Sequence, residues 1–219
     1  MKLLLTSSGV NNEATEKALL ELTEKPFEEL NLAFIPTAAH FESGDKKWLI
    51  KNLQDCVDLG FKEINIVDIA ILSKEGWLSS LKNAQVIMVG GGGEGYLLTK
   101  MYESGFSDEI KNLLENKVYV GISAGAMATG VSVNPQMSEG LYKEPQISNE
   151  IIKGLGLTNF EILPHLNDNY FSNLTEKNIK NILEKYNITK PVYALPDGTA
   201  LQIVDDKVKT IGEEVVKFS

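Results

Sequence analysis

The 219-residue chain is predicted to fold as an α/β protein: a doubly wound, mostly parallel sheet with helices on both faces and a small antiparallel C-terminal extension. Three observations carry this. Short apolar runs alternate with amphipathic stretches, the pattern of strands joined by crossover helices. Runs such as Val86-Ile87-Met88-Val89 are apolar throughout, as in strands buried on both faces. Near the end, three short apolar segments follow closely, and Asp205-Asp206 between the first two reads as a hairpin turn.

Taken in order, the first predicted strand is Lys2–Thr6. Its apolar part is three leucines and turns polar at once, too short for a secretory signal. Helical patterns at 13–24, 46–59, 95–103 and 107–115 alternate with strands at 32–36, 63–67, 85–89 and 118–121. Strands at 160–163 and 192–195 follow, then the extension at 199–204, 208–211 and 215–218. There is no repeat, linker or low-complexity segment, so one domain over residues 1–219 is expected.

Composition narrows the functional classes. The apolar fraction of 43% and charged fraction of 23% are ordinary for a globular protein, and no 18-residue apolar run suggests a membrane span. A net charge of −9 argues against nucleic acid as a partner, since phosphate neutralisation needs a basic face. The single cysteine, Cys56, excludes an internal disulfide and fits a reducing, cytoplasmic compartment, where the sequons at Asn173 and Asn187 carry no meaning. All 21 basic residues are lysine. A substrate carboxylate must then be held by lysine, backbone N–H groups or hydroxyls, never by a bidentate guanidinium. Neither a metal nor an organic cofactor is expected. The hairpin-rich C-terminus offers an edge for a second copy, so a homodimer is a possible assembly.

The most informative stretch is Gly121-Ile122-Ser123-Ala124-Gly125, set between the strand Val118-Tyr119-Val120 and the small-residue helix start Ala126-Met127-Ala128. Strand, G-x-S-x-G and helix in that order make a nucleophile elbow, with the serine oxygen projecting from a sharp turn. In a parallel α/β sheet, ligands sit beyond the carboxyl ends of the strands. Following each strand outward brings His40, the run Gly90–Gly93, Ser123, His165, Asp168 and Asp197 to one edge. A serine needs a base to take its proton, and a neutral histidine suits that task. Of the two histidines, His165 is the preferred base and His40 the reserve, with a place in the substrate pocket as its other reading. Asp197, in Leu195-Pro196-Asp197-Gly198, is the preferred orienting acid, with Asp168 and Glu139 as rivals. The glycine run offers backbone N–H groups to an anion: with Ala124 it would form an oxyanion hole. No Gly-Lys-Ser/Thr follows it, which removes a Walker loop, and a dinucleotide fingerprint would sit after the wrong strand.

These residues give the chain a resemblance to the aspartyl dipeptidase (peptidase E) and cyanophycinase family of serine peptidases, which share the flavodoxin-like architecture of class I glutamine amidotransferases. The resemblance runs nearly end to end. It rests on Leu3-Leu4-Leu5-Thr6-Ser7-Ser8, Phe34-Ile35-Pro36-Thr37-Ala38, the glycine run with Leu97-Leu98, Gly121–Ala126, Pro164-His165 and Leu195-Pro196-Asp197-Gly198. It implies Ser123 as nucleophile, His165 as base, and the backbones of Gly92 and Ala124 as oxyanion donors. The family's third member is often a glutamate, at the position of Asp197 here. Where relatives read Gly-Gly-Gly-Asn-Thr-Phe, this chain has Gly90-Gly91-Gly92-Gly93-Glu94-Gly95. That change and the missing arginines set it apart from members selective for an N-terminal aspartate. Gly93, His40 and Lys177 (or Lys180) are the residues left to contact substrate.

The expected function is therefore a serine peptidase hydrolysing short peptides through an acyl-enzyme. The alternatives are a non-peptide acyl hydrolase with the same machinery and a catalytically silent small-molecule-binding protein of this fold. A glutamine amidotransferase would need cysteine at the elbow, and Cys56 sits in the middle of a predicted helix instead.

Overall fold

A computed structural model describes residues 1–41, 43–143 and 147–218. Its main sheet has seven strands. Five run parallel in the spatial order β3 (Glu63–Ile66), β2 (Asn31–Ile35), β4 (Val86–Val89), β5 (Val118–Ile122) and β1 (Lys2–Thr6). Beyond β1, the antiparallel hairpin β10 (Ala200–Val204) and β11 (Lys207–Ile211) extends it. The hairpin turns at Asp205 and Asp206, both with positive φ (46° and 66°), which matches the right-handed twist of the strands it joins.

The pleat sorts side chains between two cores. On one face Leu4, Leu32, Phe34, Met88 and Val120 meet Ala18, Leu19 and Leu22 of α1 (Glu13–Thr23) and Cys56 of α2 (Lys47–Asp58). On the other, Leu3, Leu5, Ile35, Ile87, Val89 and Tyr119 meet α3 (Lys74–Asn83), α4 (Glu94–Glu103) and α5 (Phe106–Leu113) through Trp77, Leu97, Leu98, Met101 and Phe106. Odd and even strand positions go to opposite cores, as the two-residue period requires. The doubly wound prediction holds. Helix α3 was absent from the sequence-based pattern: its face toward the core is little more than Trp77 and Leu81, with Gly76 interrupting the period.

The C-terminal region departs from expectation. The strands predicted at 160–163 and 192–195 do not join the main sheet. As β8 (Glu161–Pro164) and β9 (Val192–Leu195) they pair in parallel with each other, and β12 (Val216–Phe218) adds to β9 antiparallel, making a separate three-stranded sheet. A third core, with Leu163, Val192, Ala194 and Phe218 from this sheet, packs it against α7 (Pro135–Tyr142) and α8 (Glu176–Lys185). The predicted extension is thus divided, its first two strands on the main sheet and its last on the small one. The stretch 135–145, to which the sequence assigns no element, is helical over Pro135–Tyr142; Glu144 and Pro145 lie outside the described residues. Asn134 caps that helix, its side chain accepting from the N–H groups of Gln136 and Met137, with Pro135 at the first helical position. A two-stranded pair, β6 (Ser132–Val133) and β7 (Ile152–Lys153), completes the described strands. Among the described residues, no helix is long and apolar enough to cross a membrane.

Candidate active site

Ser123 stands between β5 and the short helix α6 (Ala124–Met127) with φ 49° and ψ −111°, a conformation L-residues seldom adopt. Its surroundings make that turn compulsory. A side chain on Gly125 would enter the Val89 carbonyl of the neighbouring strand, and a Cβ on Gly121 would lie 2.7 Å from the Ala126 backbone. The strain is held from β1: Ser123 N–H donates to Thr6 O at 3.1 Å, and Thr6 Oγ1, fully buried, donates to Gly121 O at 3.0 Å.

The other two groups arrive from the small sheet. Pro164 of β8 is in register with Leu195 of β9, and Leu166 N–H donates to Leu195 O at 3.0 Å. The residues just past these strand ends, His165 and Asp197, therefore emerge side by side. His165 Nε2 lies 3.0 Å from Ser123 Oγ, and His165 Nδ1 lies 2.7 Å from Asp197 Oδ1. The carboxylate accepts the Nδ1–H, which leaves Nε2 as the acceptor for the serine hydroxyl. Burial works against the Asp197 charge. The hydrogen bond from His165, the charge that ring carries when protonated and the hydrogen bond from Ser7 outweigh it, holding the carboxyl below the ordinary aspartate range. The imidazole is also clamped on one face: Phe171 stacks on it with ring centroids 4.8 Å apart and planes 25° from parallel.

The glycine run after β4 lies against the elbow, since a Cβ on Gly91 would be 3.2 Å from Ser123 Cβ. Gly92 has φ +126°, and any side chain there would strike the backbone of the short 3₁₀ turn at Thr37–His40. Gly93 N–H anchors the run by donating to Ala38 O at 3.1 Å. Among the described residues, the N–H groups of Gly92 and Ala124 have no backbone acceptor, so both are available to an anion.

The remaining residues singled out from the sequence lie apart from this chain of contacts. The histidine touching Ser123 is His165; His40 is half-exposed, with Nδ1 3.0 Å from Asp68 Oδ2. Asp168 is not in contact with the imidazole: its Oδ1 accepts from the N–H groups of Tyr170 and Phe171 at 2.7 and 3.2 Å, an Asx-type turn that carries Phe171 to the ring. Glu139 is exposed on α7. Lys177 and Lys180 are exposed on α8, with no ion pair among the described residues. Gly93 is covered by Phe41, whose ring stacks with Tyr96. Two contributors went unassigned in the sequence, Phe171 and Ser7. Ser7 directly follows β1, so the strand-end rule that found the others points to it as well.

A serine strained above a parallel sheet, with a histidine and a carboxylate in line behind it, is the construction of a serine hydrolase. Comparison with known proteins agrees and is more specific. A sequence profile of peptidase family S51 matches residues 3–211. Among curated relatives, a peptidase E of a Nostoc species is 28% identical over 189 residues, covering 84% of this chain and 74% of the relative. The peptidase E of Shewanella amazonensis is 28% identical over 224 residues, 99% of this chain and 89% of that protein. Among solved structures, one described as a putative peptidase E from Listeria monocytogenes superposes with a TM-score of 0.74 at 23% identity, covering 99% of this chain and 97% of that one. A peptidase from an acI-B1 actinobacterium gives 0.68 at 21%, covering 99% and 96%. The chain belongs to peptidase family S51, and it is a serine-type peptidase.

Proposed function

We propose that this protein hydrolyses short peptides, of dipeptide size, through an acyl-enzyme formed on Ser123. The observation that carries the reading is the unbroken line Ser123 Oγ, His165 Nε2, His165 Nδ1, Asp197 Oδ1, with contacts of 3.0 and 2.7 Å. Ser123 Oγ attacks the scissile carbonyl while His165 Nε2 takes its proton. The amides of Gly92 and Ala124 hold the oxyanion, and the imidazolium returns the proton to the leaving amine. Water then attacks the acyl-serine by the same route, with His165 again as base. Asp197 keeps the proton on Nδ1 and stabilises the imidazolium without itself being protonated.

For the substrate's first residue, nothing in the chain favours aspartate. There is no arginine, and the residue following the glycine run, Glu94, puts a buried carboxyl group beside it instead of a cation. Gly93 and His40 border the cleft in this reading, and Lys177 is a more distant candidate for the substrate's carboxyl end. A panel of dipeptides varied at the first position, assayed on wild type and Ser123→Ala, tests the proposal. Turnover by wild type alone, with neutral or basic first residues ahead of Asp-X, is the expected result. Absence of turnover on every peptide and simple ester would overturn it.

A further inference from the structure

Ser7 connects the two halves of the site. Its side chain is fully buried. Its hydroxyl donates to Asp197 Oδ1 at 2.6 Å, the same oxygen that accepts the His165 Nδ1–H, and its oxygen accepts His165 main-chain N–H at 2.8 Å. Its own main-chain N–H donates to Thr199 O at 3.2 Å. A buried serine ordinarily satisfies itself within a few residues along the chain. Here the side-chain partners lie 158 and 190 residues away, one on each of the strand ends that carry the base and the acid.

The neighbouring residues make the same connection. Ser8 Oγ accepts from Gly198 N–H at 3.1 Å, and Asn12 Nδ2 donates to Gly198 O at 2.9 Å. The segment after β1 thus grips the turn bearing Asp197, while β1 itself holds the Ser123 elbow through Thr6. His165 also needs an external hold. Its φ of +66° is a left-handed conformation that a β-carbon disfavours, and an unanswered N–H there would be a buried donor without a partner.

Resting on the Ser123–His165–Asp197 reading above, we propose that Ser7 is the positioning residue that fixes the base and its orienting acid against the nucleophile. It acts through these two groups and, being fully buried, touches no substrate. Loss of its hydroxyl should therefore slow turnover and leave substrate binding alone.

The test is steady-state kinetics of Ser7→Ala, Asp197→Asn and the double variant on one turned-over dipeptide. For Ser7→Ala, kcat should fall about 10- to 100-fold, the scale of a hydrogen bond to a charged group, with KM within about twofold. In the Asp197→Asn background the same change should cost less than about threefold, because the carboxylate it serves is gone. Equal losses in both backgrounds, or a loss confined to KM, would overturn the proposal. Should Ser7→Ala not fold, Ser7→Cys keeps the shape but replaces a strong donor with a weak one. Its kcat is expected to fall at least fivefold with KM unchanged, and wild-type kcat in Ser7→Cys would equally overturn it. If Asp197→Asn itself costs less than tenfold, the triad reading fails, a result distinct from the failure of Ser7 alone.

Discussion

The two sheets contribute to the site by different physical means. The main sheet supplies Ser123 and the glycine run through backbone geometry: tight approach at Gly121 and Gly125, positive φ at Ser123 and Gly92, and N–H groups left open. The small sheet supplies His165 and Asp197 through side-chain contacts: a hydrogen bond, a stacked ring and a shared serine. A backbone device tolerates almost no substitution, because the conformation itself is the function. A side-chain device should degrade in steps, one contact at a time. The 3.0 Å contact of Ser123 with His165 joins the elbow after β5 of the main sheet to the residue after β8 of the small sheet, so it depends on how the two sheets dock.

Variants in each half put numbers on this contrast. Ser123→Ala should reduce kcat/KM about 10⁴-fold or more while leaving the thermal transition in place, since it relieves no packing. Asp197→Asn should cost about 10³- to 10⁴-fold by favouring the wrong tautomer of His165, and Asp168→Asn should leave kcat within about threefold. The second result also breaks the tie between the two aspartates by activity. Gly92→Ala combines an unfavourable φ with a collision at Ala38. It should lower stability by more than about 1 kcal/mol in chemical denaturation and take activity with it. Phe171→Ala removes only the stacked face of His165, so a loss of roughly 3- to 10-fold in kcat is expected. The smallest effect concerns Cys56, which is buried with its thiol pushed up to about 12 by burial first and by neighbouring Asp55 second. Alkylating reagents at neutral pH should leave activity unchanged, separating this serine chemistry from that of an elbow cysteine.

Acid dependence follows from Asp197. Its carboxyl is held below its ordinary value in the folded protein. The stability it contributes is therefore present above the ordinary aspartate pKa of about 3.9 and is lost as pH falls through the lower folded value. Denaturation followed by circular dichroism below pH 4 should show wild type losing stability that Asp197→Asn never had, the two curves converging in acid.

Much of this was legible in the sequence where local chemistry decides the outcome. The parallel strands, the helices flanking them other than α3, and the elbow follow from apolar runs, spacing and glycine placement, each fixed within a few residues. The pairing of His165 with Asp197 could be posed as a preference but not settled against Asp168, three residues from the histidine. The deciding fact is the register of Pro164 on Leu195, a contact between residues 31 positions apart. That β8 and β9 leave the main sheet was not legible either. Their apolar runs suit any half-buried strand, and only the folded packing shows their partners: Leu163, Val192 and Ala194 in the core with Met127, Leu141 and Ile179, and Ile162 and Leu195 in the core on one face of the main sheet. The position of Ser7 just past β1 was legible by the strand-end rule, but its contacts were not: it is an ordinary serine until Asp197 and His165 are brought to it.

The measurement closest to the central claim is active-site labelling with a fluorophosphonate, followed by mass spectrometry of the intact protein and its peptides. One adduct should form, on Ser123, and its rate should fall by about 10²-fold or more in both His165→Ala and Asp197→Asn, because the reagent needs the same activated oxygen. An adduct on another residue, or labelling of Ser123 at wild-type rate without His165, would contradict the account.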